Sequence, residues 1–212
     1  MLFRSMKFLL LLGGLGALVF GLSAPLRADA TNLLPVPGIP EPNQNPASSW
    51  VFSAWNANSD PTAKGKVDGK ISTDTDGHQM LTVASTESLK SIQMWWQAQN
   101  VTCAGGASYQ LSVSVKGTVR TGTARPTIGV YFMDATRKWI GFQEISGVPP
   151  TLPSDWQKIE GSVVAPENAV TMGVRIGVVY TEGDADISYK DPILATAAAT
   201  TAPTTPVTPT AH

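Results

Sequence analysis

The sequence predicts an all-β protein folded as a two-sheet antiparallel sandwich. Short runs rich in Val, Thr and Ser alternate with turn signals built from glycine and proline, of which the chain has 19 and 16. Several runs, such as 109–115, alternate apolar with small polar residues, which is the period of a strand with one buried face. No window carries an apolar stripe at helical spacing. About ten short strands in one chain are typical of a β-sandwich.

The strands follow one another at short, regular intervals. They are predicted at Val51–Trp55, Gly69–Thr73, Gln79–Ala84, Ser91–Val101, Ser108–Gly117, Thr127–Met133, Trp139–Ile145, Gln157–Val164, Thr171–Val179 and Asp186–Lys190. Turns are predicted between them at Asp60-Pro61, Asp76-Gly77, Gly105-Gly106, Gly122, Pro149-Pro150 and Glu182-Gly183. His78 follows one of these turns, and we expect a turn residue there rather than a catalytic base.

Residues 1–30 have the features of a secretory signal peptide. Two cations, Arg4 and Lys7, precede the apolar run Phe8–Leu22, and Ala28-Asp29-Ala30 supplies the small residues that a signal peptidase reads. The alternative is an uncleaved anchor, but a run of about fifteen residues is shorter than the roughly 20 that span a bilayer. We therefore expect a secreted, extracellular protein with no membrane attachment after cleavage.

Composition divides and limits the rest of the chain. The sandwich domain is predicted over 31–195, beginning with a proline-rich lead-in, and the Ala/Thr/Pro-rich segment 196–212 is predicted to be a disordered tail. Charged residues are 15% of the chain and the net charge is −1, so no basic stripe is available for nucleic acid. The single cysteine, Cys103, is expected to be a small buried residue rather than a nucleophile, since no activating partner is nearby in sequence.

The segment 94–117 is the most informative part of the domain. Adjacent side chains of a strand point to opposite faces, so Trp95 and Trp96 cannot both enter the core. Alternation places Gln93, Trp95 and Gln97 on one face, and Met94 and Trp96 with their apolar neighbours on the other. This pattern favours an outward Trp95 flanked by amides. The alternative is a Trp95 covered by a loop.

Four segments along the domain resemble the bacterial carbohydrate-binding modules of the CenC type. They are Asn32–Pro35 followed by Trp50, Gln97–Gly117, Asp155–Ala169 and Asp186–Leu194, which together span nearly all of Asn32–Leu194. The resemblance implies a galactose-binding-like jelly roll, no catalytic activity and a glycan partner recognised by aromatic stacking and amide hydrogen bonds. It also matches Trp156 to the structural tryptophan of the family, so we expect Trp156 in the core, as we do Trp50.

The candidate carbohydrate-binding residues combine flat rings with hydrogen-bonding groups. A sugar presents an apolar C–H face to an aromatic ring and hydroxyls to amides or a guanidinium, and tryptophan offers the largest rigid contact. Trp95, Gln93 and Gln97 come from the alternation, and Trp139 and Trp55 from their places near strand ends. The family lines its concave face with aromatics and amides, which adds Tyr131, Gln143 and Arg175.

The resemblance also implies a structural calcium ion where the first and last strands meet. Glu41 and Asp191 are the ligands carried over, and Asp68, Asp184 and Asp186 are independent candidates. The family closes with two aspartates, whereas this chain has Lys190 followed by Asp191. The alternative is a set of solvated acids at a strand end.

Two other functions fit the same fold. An extracellular structural or adhesion protein would use exposed aromatics against a protein partner. A jelly-roll glycoside hydrolase or lyase would need two carboxylates facing each other, and no spacing pairs Asp134, Glu144 and Asp155 in the sequence. No metal motif, nucleophile elbow or phosphate loop is present, so a non-enzyme is expected.

Overall fold

A computed structural model describes residues 31–34, 50–56, 67–86 and 89–197, with only the backbone described for 56, 90–92 and 180–182. Nine β-strands occur in these residues, and no helix. They are β1 (Val51–Asn56), β2 (Val67–Thr73), β3 (Gln79–Ser85), β4 (Leu89–Thr102), β5 (Ser108–Gly122), β6 (Arg125–Met133), β7 (Trp139–Glu144), β8 (Gln157–Val164) and β9 (Thr171–Thr196). The predicted signal peptide 1–30, Glu41 and all but the start of the predicted tail 196–212 lie outside the described residues.

The strands form two five-stranded antiparallel sheets that face each other, so the predicted β-sandwich is confirmed. The front sheet has the order β1-β4-β9-β6-β7. The back sheet has the order β2-β3-β9-β5-β8. Each sheet is amphipathic because its strands alternate, and the two apolar faces meet in one core. Across the described residues there is no apolar helix of membrane-spanning length.

Strand β9 belongs to both sheets, and the turn predicted at Glu182-Gly183 is wrong. The half before Gly183 pairs with β4 and β6, and the half after it pairs with β3 and β5. A Cβ at Gly183 would lie 2.7 Å from the carbonyl oxygen of Thr121, so only a glycine lets the backbones approach this closely. The glycine that suggested a turn therefore marks the point where one long strand passes from sheet to sheet.

The core confirms the alternation predicted for β4. Met94 and Ala98 are fully buried and Trp96 is 5% exposed, with its indole nitrogen donating to the carbonyl of Thr82 on the back sheet. Trp50 is buried as expected, and so is Cys103, whose thiol pKa is raised by burial. Burying a large side chain of this kind contributes roughly 1.5–3 kcal/mol, so the inward face of β4 is a main source of stability.

Two further expectations concern turns and exposure. His78 closes the β2–β3 turn, where its carbonyl accepts a hydrogen bond from the amide of Asp74, as expected.

Trp156 was expected in the core, and this is wrong: its side chain is 37% exposed. It precedes β8 at the outer side of the back sheet, and the Nζ atom of Lys190 lies 4.7 Å from its ring centre. The local pattern gave no sign of this cation, which occupies the ring face that a core would cover.

Candidate functional site

The outer face of the front sheet carries five aromatic side chains, which we call the aromatic face. They are Trp55, Trp95, Tyr131, Trp139 and Phe142. Register places them together, since cross-strand partners share a face. Trp95 lies between Ser53 of β1 and Gly177 of β9, and Trp55 is paired with Gln93. The outward direction predicted for Trp95 is thus the one the strand adopts.

Glycines form the floor of the aromatic face. A Cβ at Gly173 would lie 2.3 Å from the hydroxyl of Tyr131, and one at Gly177 would lie 2.7 Å from the Cβ of Trp95. At Gly129 the same atom would lie 2.5 Å from Phe142. Each distance is much shorter than a van der Waals contact, so no side chain fits between these glycines and the aromatic residues. The aromatic side chains therefore lie directly against the glycine backbone. Glycine at these positions lets large side chains pack flat on the outside of a sheet.

Arg175 lies at the centre of the aromatic face. Its guanidinium carbon is 4.7 Å from the ring centre of Trp95, 5.2 Å from that of Tyr131 and 4.8 Å from that of Trp139. The rings of Tyr131 and Trp139 are themselves stacked, with centres 5.4 Å apart and planes 8° from parallel. A cation over an aromatic ring gains about 0.5–2 kcal/mol, so three rings hold this side chain in place.

A chain of hydrogen bonds fixes the polar groups of the site. The Nε atom of Arg175 donates to Oε1 of Gln97 at 2.7 Å, and Nε2 of Gln97 donates to the hydroxyl of Tyr131 at 3.1 Å. That hydroxyl donates to the carbonyl of Ala98 at 3.4 Å. Burial raises the pKa of Tyr131 to about 12, so the phenol keeps its proton at neutral pH. Burial lowers the pKa of Arg175, because desolvation disfavours its charged form.

The edges of the aromatic face are open to solvent. Trp55 is 51% exposed, Trp139 is 42% exposed and Phe142 is 37% exposed. Trp95 is partly buried, and its indole Nε1 is covered without an acceptor among the described residues. A ligand approaching from solvent would therefore meet the rings of Trp55 and Trp139 before that of Trp95.

The structure brings together most of the predicted binding residues. Arg175 contacts Trp95, Gln97, Tyr131 and Trp139. Trp55 and Gln93 are neighbours in register at the β1 edge.

Gln143 does not join the other predicted binding residues. It is in register with the buried Val130, and its amide nitrogen donates to the carbonyl of Val164 at 3.0 Å.

Phe142 takes the place that the sequence suggested for Gln143. The register between β6 and β7 shifts after Phe132, so that Trp139 is opposite Met133 while Phe142 is opposite Tyr131. Counting every second residue from Trp139 leads to position 143, but the bulge moves the outward face by one residue. The sequence analysis did not predict the glycine floor either. The signal was present, because the predicted strands 127–133 and 171–179 contain Gly129, Gly173 and Gly177 at positions where a regular strand seldom has glycine.

Three of the predicted calcium ligands, Asp191, Asp184 and Asp186, are engaged with other partners. The Oδ1 atom of Asp191 lies 2.7 Å from Nδ1 of His78, and Arg120 pairs with both Asp184 and Asp186. In the described part of the chain, no three His, Cys, Asp or Glu side chains are grouped so as to hold a metal ion. Glu41 lies outside the described residues, and calcium stays a prediction.

Comparison with known proteins found similar solved structures but no matching family model and no matching curated protein. The chain is similar to the CBM22-1 and GH10 modules of the Clostridium thermocellum endo-1,4-β-D-xylanase 10B, crystallised with xylohexaose (19% identity, TM-score 0.48). That match covers 71% of this chain and 27% of the xylanase.

Two similar structures are of comparable length to this domain. The first is the CBM22-1 xylan-binding domain of Paenibacillus barcinonensis Xyn10C (12% identity, TM-score 0.47, 68% of this chain and 85% of that one). The second is a CBM4 structure (17% identity, TM-score 0.44, 71% and 88%). All of these are or contain carbohydrate-binding modules. Because the TM-scores lie below 0.5, we base the function proposed below on the geometry of this chain.

Proposed function

We propose that this protein is a secreted, non-catalytic carbohydrate-binding module of the CenC type, which holds a polysaccharide or oligosaccharide on the aromatic face. One observation carries the proposal. The indoles of Trp55 and Trp139 are about half exposed at the two edges of the same outward face, which has the partly buried side chains of Gln97 and Arg175 between them. A single exposed apolar side chain is common on a protein surface, whereas several exposed aromatic rings on one sheet face are typical of a binding site.

The chemistry of the face matches what a sugar presents. A pyranose has an apolar C–H surface that can rest on an indole and a rim of hydroxyls that need hydrogen-bond partners. Trp139 is held by its stack on Tyr131 and by Arg175, so little side-chain entropy is lost when a ligand covers it. We expect weak binding overall, because a flexible glycan loses conformational freedom on ordering.

The described carboxylates near the face support a binding role over hydrolysis. A glycosidase needs two carboxyl groups about 5–10 Å apart across the scissile bond. Glu144 is the single carboxylate among the described side chains of the aromatic face, and it pairs with Arg125 at 2.8 Å. Asp134 accepts hydrogen bonds from Thr136 and Lys138 within its own turn, which lower the pKa of its carboxyl.

Export is the part of the proposal that rests on the sequence of residues 1–30. Sequencing the N-terminus of the protein recovered from the culture medium tests it directly. We expect the mature chain to begin at Thr31, just after Ala28-Asp29-Ala30. A protein that stays with the membrane and keeps Met1 would contradict the secreted assignment without touching the binding proposal.

Affinity electrophoresis against a panel of soluble polysaccharides, supported by a glycan array, tests the binding site. We expect Trp139→Ala and Trp55→Ala each to weaken binding about ten-fold or more, since each removes a stacking surface worth about 1.4 kcal/mol or more. Trp156→Ala is the matched control. It removes an indole of similar exposure from the back sheet, and we expect binding to be unchanged.

Three results would count against the proposed function. Binding that survives in both front-sheet variants would remove the aromatic face from the site. Binding lost with Trp156→Ala alone would place the site on the back sheet. A wild-type protein that binds no polysaccharide, but whose Trp139 becomes protected on contact with a protein partner, would favour the adhesion role. Thermal denaturation of each variant verifies that it is folded.

A further inference from the structure

Hydrogen-bond donors outnumber acceptors at the centre of the aromatic face. A guanidinium has five N–H groups, and Arg175 uses one of them, on Nε, to reach Gln97. The four N–H groups on its terminal nitrogens have no acceptor among the described residues. The covered indole N–H of Trp95 has none there either. Meanwhile Oε1 of Gln97 and the hydroxyl of Tyr131 already accept hydrogen bonds from within the cluster.

The charge of Arg175 is also unmatched. The described chain has two partly buried cations, Lys190 and Arg175. Lys190 forms an ion pair with Asp74 at 3.2 Å, whereas the polar contact of Arg175 is a neutral amide. Removing a cation from water without a counter-charge is costly, and this burial lowers the pKa of Arg175. A site that keeps such a group unpaired is suited to a ligand that brings the negative charge.

The turn beside the face adds positive charge. Arg137 and Lys138 are exposed in the β6–β7 turn directly before Trp139, against one acid, Asp134. Of the charges closer to the sheet, Arg125 and Glu144 neutralise each other. The surroundings of Arg175 and Trp139 therefore carry a net positive charge in a chain whose formal net charge is −1. Charge of this sign attracts an anionic chain before contact is made.

We propose that the glycan bound by the aromatic face is acidic, and that a uronic acid carboxylate binds the terminal nitrogens of Arg175. A guanidinium offers two parallel N–H donors that match the two oxygens of a carboxylate. The sugar ring carrying that carboxylate rests on Trp139, and the amides beside it take hydroxyls. This inference rests on the proposed function, since it names the class of glycan for the same site.

The test compares uronic acid polysaccharides with their carboxyl-reduced forms. Polygalacturonate and glucuronoxylan are each measured before and after reduction, which turns the carboxylate into a primary alcohol and leaves backbone and linkage unchanged. We expect the wild-type protein to bind at least one acidic form about ten-fold or more tightly than its reduced form, the scale of a charge-assisted hydrogen bond. Added salt is expected to reduce the difference in affinity between the acidic and the reduced forms, because it screens the charges.

Variants assign the carboxylate to one side chain. Arg175→Gln keeps a polar side chain without charge, and we expect it to bind the acidic and reduced forms alike. Arg175→Lys keeps the charge but not the two-pronged donor, and we expect it to retain part of the preference. Lys190→Gln is the matched control, because it removes the other partly buried cation from the back sheet. It should keep the full wild-type preference.

The outcomes separate this inference from the proposed function. Equal binding of the acidic and reduced forms by the wild type would overturn the acidic ligand and leave a neutral glycan on the aromatic face. An undiminished preference in a folded Arg175→Gln variant would also overturn it. If Arg175→Gln does not fold, the Arg175→Lys variant decides. An undiminished preference of that variant for the acidic polysaccharide would also overturn the acidic ligand. No binding of either form of any polysaccharide would instead remove the proposed function itself.

Discussion

The two outer faces of the sandwich each carry a cation over a tryptophan, and the two pairs differ in what completes them. On the back sheet, Lys190 lies 4.7 Å from the ring centre of Trp156 and its charge is met by Asp74. On the front sheet, Arg175 lies equally close to Trp95, but its polar partner among the described residues is the neutral amide of Gln97. The back pair is closed within the protein. In our proposal the front pair offers its donors and charge to a ligand, so a similar contact would serve stability on one side and recognition on the other.

The two sheets also differ in the side to which their glycines face. Those of the front sheet discussed above face outward, beneath the aromatic rings. In the back sheet, Gly69 and Gly117 face inward, where a Cβ would clash with Phe52 and Leu152 of the core. The outer face of the back sheet instead carries small polar pairs such as Thr82 and Ser188, whose hydroxyls are 3.1 Å apart. The glycines of the front sheet lie under large side chains on the outer face, and those of the back sheet lie against large side chains of the core.

The largest effect should come from filling the glycine floor. A Cβ on Gly177 would lie 2.0 Å from the carbonyl oxygen of Met94 and against the backbone of Trp95, so strands β4 and β9 must separate. We expect Gly177→Ala to lower the free energy of unfolding by about 2–3 kcal/mol, measured by urea denaturation.

Gly141→Ala is the control for the floor, because nothing lies within 4 Å of its added Cβ on β7. Its stability should be unchanged or raised by up to about 1 kcal/mol, since alanine restricts the unfolded chain. If both alanine variants were equally stable, the rings would not be resting on bare backbone, and the contrast between the two sheets would fail.

A smaller effect is expected from the hydrogen-bond chain of the front sheet. Tyr131→Phe keeps the ring but removes the hydroxyl that links Gln97 to Ala98. Because that hydroxyl is buried, we expect a loss of about 1 kcal/mol in the free energy of unfolding. Thr82→Val on the back sheet also removes a hydroxyl pair, but a partly exposed one, and should change stability by less than about 0.5 kcal/mol.

Equal losses in Tyr131→Phe and Thr82→Val would show that the polar groups of the aromatic face are no more ordered than those of the back sheet. The spectrophotometric titration of the tyrosines gives a second readout. It should lose a component near pH 12 in Tyr131→Phe, since burial raises the pKa of that phenol to about 12.

The fold was predictable because the period of a strand is a local property. Alternation alone placed Trp96 in the core and Trp95 outside, and the bounds of β8 agree with those predicted from sequence. The aromatic face followed to a large extent, since Trp139 and Tyr131 lie on strands flanking one hairpin. The resemblance to carbohydrate-binding modules added Arg175, which the local pattern marked as an unusual charge in an apolar strand without separating it from a solvent-facing cation.

The errors arose where contacts distant in sequence decide the outcome. Gly183 was predicted to lie in a turn, but it is a glycine because the backbone of Thr121 approaches closely. Trp156 was predicted to lie in the core, but its ring is covered by Lys190 at the outer side of the back sheet. The exchange of Gln143 for Phe142 depends on a single bulge, which reverses the faces of β7. In each case a neighbour from another strand overrode what the local pattern or the family resemblance suggested, and these contacts shape both outer faces.

The smallest effect concerns the ion pair between His78 and Asp191 at the end of the back sheet. Nδ1 of His78 lies 2.7 Å from Asp191, and this hydrogen bond and charge raise the pKa of the imidazole above 6.5. A raised pKa means that the pair stabilises the fold fully below about pH 6.5, and that this contribution is lost as the pH rises through the folded pKa. We expect NMR titration to show a pKa above 6.5 for His78, with His212, the other histidine in the sequence, as an internal reference.

Asp191→Asn should lower the pKa of His78 toward its ordinary value while leaving polysaccharide binding unchanged, because the pair lies at the turn end of the back sheet, away from the aromatic face. A pKa at or below 6.5 in the wild type would mean that Asp191 and His78 do not pair in solution. The back sheet would then carry an unpaired carboxylate at Asp191, and the observation that its charges are matched within the protein would fail at this pair.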